Sequence, residues 1–206
     1  MFSHQLLAGS DGAVALLESG FVFPLLLRAP GFHMGQHFVR VDSPVELAAA
    51  VNELPGNEVL AIEYLDAHGA DGRVRKYRVM MVDQELYPLH LAISNHWKIH
   101  YFSADMADCS EHREEDARFL NDMSGVLGAK AMATLEHLQR ALGLDYAGVD
   151  FGLDQQGNVL LFEANATMIV QEPDEGEKWD YRRPAVAGIH AAVHRMFIKH
   201  SGAVCA

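Results

Sequence analysis

The sequence predicts an α+β fold with two lobes and a cleft between them. Up to about residue 66, short apolar segments bounded by glycine and proline flank one well-capped helix, in the order β-α-β. From residue 73, strand-like segments follow one another across a tight turn, which is typical of a β-meander. Amphipathic helices come later in the chain, whose 206 residues suit one domain or two small lobes.

The predicted small lobe begins with a helix and two strands. Residues 4–19 favour a short helix, which two internal glycines weaken. The fully apolar segment FVFPLLLR at 21–28 predicts a strand. APGFHMGQHF at 29–38 predicts a mobile turn rich in glycine, and FVRV at 38–41 predicts the next strand.

A helix with a well-marked beginning comes next. Ser43 and Glu46 form an S-x-x-E capping box, and Pro55-Gly56 ends the helix. We expect its buried stripe to contain Val45, Leu47, Ala48, Val51 and Leu54. The apolar segment EVLAIEYLD at 58–66 predicts the last strand of the small lobe.

The predicted large lobe combines a meander with helices. Residues 73–82 and 85–94 are expected to pair around the turn DQ, with WKIHYFS at 97–103 as a candidate third strand. The acidic segment 104–119 is expected to be solvated, above all at EHREED. Helical spacing predicts two further helices, at 126–142 and 185–198. Their buried faces are expected to contain Leu127, Ala131, Leu135, Leu138 and Leu142, and then Val186, Ile189, Val193 and Phe197.

Composition argues against several classes of protein. A net charge of −12 disfavours nucleic-acid binding, which needs clustered Lys and Arg. The longest apolar run, at 21–27, is too short to span a bilayer, and no signal-peptide pattern is recognised. Cys109 and Cys205 form no C-x-x-C motif, which indicates a reducing compartment. We therefore expect a cytoplasmic protein that binds neither nucleic acid nor membrane.

Residues 148–166, GVDFGLDQQGNVLLFEANA, carry the most informative pattern. Apolar and polar residues alternate on both sides of the turn DQQGN, as in a half-buried β-hairpin. A regular register would place Asp150 opposite Glu163, with Asn165 on the same face. It would also pair Leu153 with Leu160, Phe151 with Phe162 and Val149 with Ala164.

Two opposed carboxylates destabilise a sheet unless a positive charge lies between them. A hard cation such as Mg²⁺ would turn the repulsion into coordination, and the amide oxygen of Asn165 would add a neutral ligand. Gly148 and Gly152 would leave this face open for a ligand to approach. The alternative is a solvated acidic face on a surface hairpin.

This hairpin resembles the metal-binding hairpin of the ATP-grasp superfamily, in which an Asp and an E-x-N pair hold two Mg²⁺ on the ATP phosphates. Other segments are similar to parts of that family and occur in the same order over roughly residues 20–200. They are FPLLLR with the PGFHMGQHF turn, LAIEYLD, and KYRVMMVDQELYPLHLAIS, which is similar to a strand pair of the RimK-like, glutamate-ligase branch. The resemblance implies an ATP-grasp-like fold, in which each lobe has a mostly antiparallel sheet with helices and the nucleotide lies in the cleft.

The resemblance also implies a division of the chain and a set of ligands. A leading segment would cover 1–19, a small lobe with a phosphate-covering loop 20–66, and a large lobe with the metal-binding hairpin 67–206. The cofactors would be ATP and Mg²⁺, with Mn²⁺ as an alternative metal. The metal ligands would be Asp150, Glu163 and Asn165.

Further positions match nucleotide-binding residues of the family. Arg28 would contact the α- and β-phosphates in place of the usual Lys, and Arg78 would reach the terminal phosphate. The phosphate-covering loop would contain Gly31, His33, Gly35 and Gln36. Adenine would be framed by Glu63, Tyr64 and Leu65, with Asp66 on the ribose hydroxyls. The alternatives are a surface cation at 28, a plain turn residue at 66 and a cross-strand partner of an acid at 78.

His90 and Lys98 are the remaining candidate catalytic residues. Either they contact the acyl acceptor or the γ-phosphate, or they occupy solvent-facing strand positions. A zinc site of His90, His96 and His100 is a further alternative, although the spacing of these residues matches no tight ligand motif.

One departure from the family bears on function. No lysine precedes Lys76, whereas the family has a phosphate-binding lysine upstream of the first strand. We expect either a fragment that lacks its N-terminal domain or an incomplete nucleotide site, and a missing domain or a second copy in a homodimer is the expected protein partner.

The leading hypothesis is an ATP- and Mg-dependent carboxylate–amine or carboxylate–thiol ligase. It would act on a small-molecule or peptide carboxylate through an acyl-phosphate. The first alternative is a non-catalytic nucleotide-binding or regulatory module within a longer protein. The second is a metal hydrolase that uses the histidines.

Overall fold

The structure, a computed structural model, describes residues 1–32, 35–99 and 104–202. The chain divides into two compact units, Met1–Asp66 and Ala67–Ala206. The described part of each unit contains a four-stranded antiparallel sheet together with helices. This confirms the predicted α+β class.

The sheet of the first unit has the strand order β1-β4-β2-β3. Its strands are β1 (Phe2–Ser3), β2 (Leu25–Arg28), β3 (Phe38–Val41) and β4 (Glu58–Glu63). Its helices are α1 (His4–Ala8), α2 (Gly12–Glu18) and α3 (Leu47–Asn52). The prediction of one helix over 4–19 is wrong, because the chain turns between α1 and α2. At this turn the backbones approach so closely that a Cβ on Gly12 would lie 2.4 Å from the carbonyl oxygen of Leu7.

The predicted capping residues Ser43 and Glu46 do interact. The Ser43 hydroxyl donates a hydrogen bond to Oε1 of Glu46 at 3.0 Å. The chain forms a 3₁₀ turn over Pro44–Glu46 before α3 begins, and this turn rotates the side chains away from their α-helical positions. As a result Val45 is 92 % exposed, and the prediction that it is buried is wrong. The buried residues of the stripe are Leu47, Val51 and Leu54.

The sheet of the second unit has the strand order β6-β5-β7-β8. Its strands are β5 (Val74–Val82), β6 (Glu85–Ser94), β7 (Tyr146–Leu153) and β8 (Val159–Asn165). Its helices are α4 (Ser110–Asn121), α5 (Met123–Leu142) and α6 (Arg183–Ser201), and a 3₁₀ helix spans Glu177–Arg182. As the sequence predicted, Gly143 ends α5, in the left-handed conformation with φ 61° that favours glycine.

Apolar layers cover the two faces of this sheet. The face that we call the α5 face packs on α4 and α5, through Tyr77, Val79, Phe151, Phe119 and Leu135. The opposite one, the α6 face, packs on α6 over part of its extent, through Met80, Val82, Leu89, Met168, Val186 and Ile189. Because side chains alternate along a strand, the residues between those of the α5 face belong to the α6 face.

Helix α4 is more buried than the acidic sequence suggested. His112 and Asp116 are buried in it. Asp116 accepts hydrogen bonds from the backbone N–H of Leu91 and from the Tyr181 hydroxyl, both at 2.7 Å. Since β6 is an edge strand of the sheet, the Asp116 carboxylate satisfies a backbone donor that has no strand partner on that side. The expectation of a purely solvated segment is therefore wrong.

Two further expectations in this unit differ from the structure. Phe197 is 64 % exposed and Met196 is buried in its place, so the buried stripe of α6 ends one residue earlier than its helical spacing suggested. Residues 97–99 form no strand, and 100–103 lie outside the described residues. In the described part of the chain, no helix has the length and apolar character needed to cross a membrane.

Candidate functional site

A row of four polar side chains crosses the sheet of the second unit. Backbone pairing sets His90 of β6 beside Arg78 of β5, Arg78 beside Asp150 of β7, and Asp150 beside Glu163 of β8. Arg78 and Asp150 alternate with residues of the α5 face, so the row lies on the α6 face. The predicted opposition of Asp150 and Glu163 is confirmed.

The predicted pairing of Val149 with Ala164 is also confirmed, but the remaining pairs of the predicted hairpin register are wrong, because β8 contains a bulge. Beyond Asp150, the pairs are Phe151 with Leu161, Gly152 with Leu160 and Leu153 with Val159. Phe162 is the extra residue and has no opposed partner. Its side chain is 41 % exposed, and its ring atom Cζ lies 3.0 Å from the position that a Cβ on Gly152 would occupy.

Asp150 is the centre of the row and is held by two cations. It is 3 % exposed. Arg78 donates two hydrogen bonds to it, from Nε to Oδ1 at 2.5 Å and from Nη2 to Oδ2 at 2.7 Å. The ammonium of Lys76 lies 3.2 Å from Oδ2. Burial raises the pKa of Asp150, but the hydrogen bonds and charges of Arg78 and Lys76 outweigh this effect and hold it below its usual value.

Lys76 is a site residue that the sequence reasoning missed. It precedes Arg78 by two positions, so the strand period places both side chains on one face. That spacing in KYR was the available signal. This spacing indicates a shared site only once β5 and β7 are known to be neighbours, because both cations then contact the same carboxylate.

Glu163 and Asn165 lie together at the exposed side of the row. The amide nitrogen of Asn165 donates to Oε1 of Glu163 at 3.2 Å. The amide oxygen of Asn165 accepts from the backbone N–H and the hydroxyl of Thr167, at 2.8 and 2.9 Å. The orientation of the Asn165 side chain is therefore fixed by a local turn.

The two glycines of β7 do not open this face to a ligand. A Cβ on Gly148 would lie 2.5 Å from Cγ of Met168, and one on Gly152 would lie 2.5 Å from Cβ of Ala67. Protein atoms already fill the space that the missing side chains leave, and the expectation of an open face is wrong. The glycines are required for packing.

The oxygen donors of the row fit a hard divalent cation. Two carboxylates and one amide oxygen on paired strands are ligands that Mg²⁺ accepts. The Asp150 carboxylate has about four lone-pair positions. Three of them accept hydrogen bonds from Arg78 and Lys76, which leaves one position, at Oδ1, for a metal ion. For Asn165 to bind a metal ion, its amide oxygen would have to give up the hydrogen bonds that it accepts from Thr167. Within the described residues, no cluster of three or more His, Cys, Asp or Glu could hold a metal by itself.

The first unit holds the other predicted nucleotide-binding residues. Arg28 ends β2 opposite Phe38, and its guanidinium donates to the backbone carbonyl of Phe32 in the following loop. Gly31 and Gly35 have φ of 82° and 71°, left-handed values that favour glycine, and Gln36 follows Gly35 in a turn at 35–37. His33 lies outside the described residues.

The segment after β4 contains the predicted adenine and ribose residues, Glu63, Tyr64, Leu65 and Asp66. The Arg40 guanidinium lies 4.3 Å from the ring centroid of Tyr64, and its Nε donates to Asp42 at 2.7 Å. Burial raises the pKa of the Tyr64 hydroxyl, with the Arg40 charge acting against the shift and the Asp66 charge adding to it. The Tyr64 ring and the Arg40 guanidinium thus lie together beyond the end of β4.

The histidines and the lysine predicted as catalytic or zinc-binding residues differ in burial. His90 is buried in the polar row, whereas His96 and Lys98 are exposed in the turn after β6. His100 lies outside the described residues, so the set of His90, His96 and His100 stays a prediction.

No protein-family model and no curated protein matches the sequence. Among solved structures, the chain is similar to carboxyaminoimidazole ribonucleotide synthase from Aspergillus clavatus, complexed with ATP, at 13 % identity and a TM-score of 0.43. That match covers 76 % of this chain and 37 % of the synthase. It is also similar to the β,γ-ATP complex of biotin carboxylase from Campylobacter jejuni, at 13 % identity and a TM-score of 0.48 over 97 % of this chain and 42 % of that one. The chain thus spans about two fifths of the length of either structure.

Proposed function

We propose that the chain is an ATP-grasp domain that binds ATP and Mg²⁺ and joins a carboxylate to an amine or a thiol. The observation that carries this proposal is the row of Arg78, Asp150 and Glu163 on three paired strands, with Lys76 and Asn165 beside it. Two cations and three oxygen donors on one sheet face suit a metal-bound phosphate group. The sequence motif and its ordered companions supply the link to this family.

The proposed reaction has two displacements. An oxygen of the substrate carboxylate attacks the γ-phosphorus, the bond to the ADP oxygen breaks, and an acyl-phosphate forms. The amine or thiol then attacks the acyl carbon, the bond from that carbon to the phosphate oxygen breaks, and inorganic phosphate leaves while the attacking group gives up its proton to solvent. Arg78 would neutralise charge on the transferred phosphoryl group, and His90 beside it would face the same region. Glu163, Asn165 and Asp150 would hold Mg²⁺, which when bound neutralises phosphate oxygens.

The first unit would bind the remainder of the nucleotide. Arg28 would exchange the Phe32 carbonyl for α- and β-phosphate oxygens, since an anion is a stronger acceptor than a neutral carbonyl. The left-handed glycines Gly31 and Gly35 would allow the backbone to approach the phosphates closely. Glu63, Tyr64 and Leu65 would frame adenine, and Asp66 would bind the ribose.

Nucleotide binding is tested by the thermal stability of the chain with ATP, Mg²⁺ or both. Ligand at a hundred times its dissociation constant adds about 2.7 kcal/mol to the free energy of unfolding. We expect this increase only with both present, and we expect Glu163→Gln to abolish it. Glu136→Gln, a change to an exposed acid of α5, is the matched control and should respond like the parent. Stabilisation of Glu163→Gln equal to that of the parent would contradict the metal assignment.

A nucleotide-binding module without ligase activity is the second candidate. It is favoured by one observation, that no lysine precedes Lys76 in the sequence. Phosphate release on adding candidate carboxylates and amines separates the two functions. Binding without release under any pair of substrates would support the module.

A further inference from the structure

Within the described residues, Lys76 and Arg78 are the only cations that contact the Asp150 carboxylate, and both have N–H donors that this contact does not use. Arg78 uses Nε and Nη2 on Asp150, which leaves N–H groups at Nη1 and Nη2. Lys76 makes one contact, with Oδ2, out of three N–H donors. The side chains of Lys76 and Arg78 are 15 % and 22 % exposed, so both charged ends remain within reach of a ligand.

We propose that Lys76 and Arg78 together form one subsite for the terminal phosphate of the nucleotide, with Asp150 as the residue that positions both. This inference rests on the proposed function and adds Lys76 to it. Position 76 then supplies a second phosphate-binding cation from β5, in a chain with no lysine before it.

Charge favours a phosphate over a carboxylate in this subsite. Asp150 neutralises one of the two positive charges, and Glu163 lies beyond Asp150 in the row, where a metal ion would balance it. A carboxylate offers two oxygens and one negative charge, whereas a terminal phosphate offers three oxygens and about two charges. The unused donors of a guanidinium and an ammonium can therefore both be satisfied by one phosphate.

Geometry explains why the two side chains act as a pair. They lie two residues apart on one strand, about 7 Å along the backbone. Both converge on a single buried carboxylate, with N···O distances of 2.5, 2.7 and 3.2 Å. Asp150 thus fixes two flexible side chains before any ligand arrives, which lowers the entropy that binding must remove.

The test compares dissociation constants for ATP and AMP, each with Mg²⁺, in the parent and in Lys76→Met. We expect the variant to bind ATP about tenfold more weakly or worse, which is the effect of losing one charge-assisted hydrogen bond. Its affinity for AMP should fall less than about threefold. Lys76→Arg, which restores a cation, should bind ATP within a few-fold of the parent. Lys199→Met is the matched control, since Lys199 pairs with Asp83 at the opposite end of β5.

The outcomes separate the inference from the proposed function. Suppose that the parent binds ATP but that Lys76→Met weakens the binding of ATP and of AMP equally, or weakens the binding of neither. The phosphate subsite at Lys76 is then refuted, and the proposed function stands. If the parent binds no ATP, both are refuted. AMP affinity and the unfolding temperature report whether the variant is folded, and Lys76→Gln provides a second neutral side chain should Lys76→Met be unstable.

Discussion

Replacing Asp150 with asparagine should destabilise the second unit strongly. Asparagine keeps the shape of the side chain but removes the charge that Arg78 and Lys76 share at 2.5 to 3.2 Å. Breaking a buried ion pair by removing one partner costs about 3–5 kcal/mol. Because the two cations keep partial access to water, we expect the lower end of this range, about 3 kcal/mol.

The unfolding of this unit can be followed separately from that of the other. The chain has two tryptophans, Trp97 and Trp179, and both belong to the second unit. Urea unfolding monitored by tryptophan fluorescence therefore reports the stability of that unit. Glu163→Gln is the matched control, since Glu163 is exposed, and should change the free energy of unfolding by less than about 0.5 kcal/mol.

A pH series and a double variant test the assigned cause. The pKa of Asp150 is lower in the folded protein than its unfolded value near 3.9. The charged pair therefore stabilises the fold above about pH 4, and this stability is lost as pH falls through the lower, folded-state pKa. Asp150→Asn should flatten that acid dependence, and Asp150→Asn with Arg78→Met should cost less than the sum of the two single changes. A loss below about 1 kcal/mol in Asp150→Asn would refute the role of Asp150 as the central counterion.

Two further substitutions test the packing around the site by the same fluorescence assay. Asp116→Ala should cost about 3 kcal/mol, because it removes the acceptor of the Leu91 backbone N–H and of the Tyr181 hydroxyl, whereas Glu114→Ala on the exposed side of α4 should have little effect. Gly148→Ala should cost about 1–3 kcal/mol, because its Cβ would lie 2.5 Å from Cγ and 2.6 Å from Cβ of Met168. Gly188→Ala in α6 meets no atom within 4 Å and should be neutral or stabilising by up to about 1 kcal/mol, so a cost at Gly188 as large as at Gly148 would contradict the packing explanation.

The sequence predicted most where a single period or a local signal decides the structure. Alternation located β5, β6, β7 and β8, and the opposed carboxylates followed from the same reasoning. Gly143 marked the end of α5 because only a left-handed residue fits there. In each case the information lies within a few neighbouring residues.

The predictions that failed share a different cause, because the structure at those positions depends on contact with a distant part of the chain. Nothing near Gly148 in the sequence indicates that Met168 fills the space beside it. The role of Lys76 depends on β7 lying next to β5, and the burial of Asp116 depends on the edge of β6. The apolar–polar alternation in the sequence of β8 runs through Phe162 without a break, although the bulge there shifts the pairing by one residue, so the bulge could not be detected from periodicity.

That bulge makes one position of the hairpin dispensable to the ladder. Asp150 pairs with Glu163 on one side of it, and Phe151 pairs with Leu161 on the other. A chain shortened by Phe162 alone would join these neighbours into an uninterrupted ladder with every partner unchanged. The exposed aromatic ring is therefore an addition to the strand, and its removal should leave the opposed carboxylates of Asp150 and Glu163 in place.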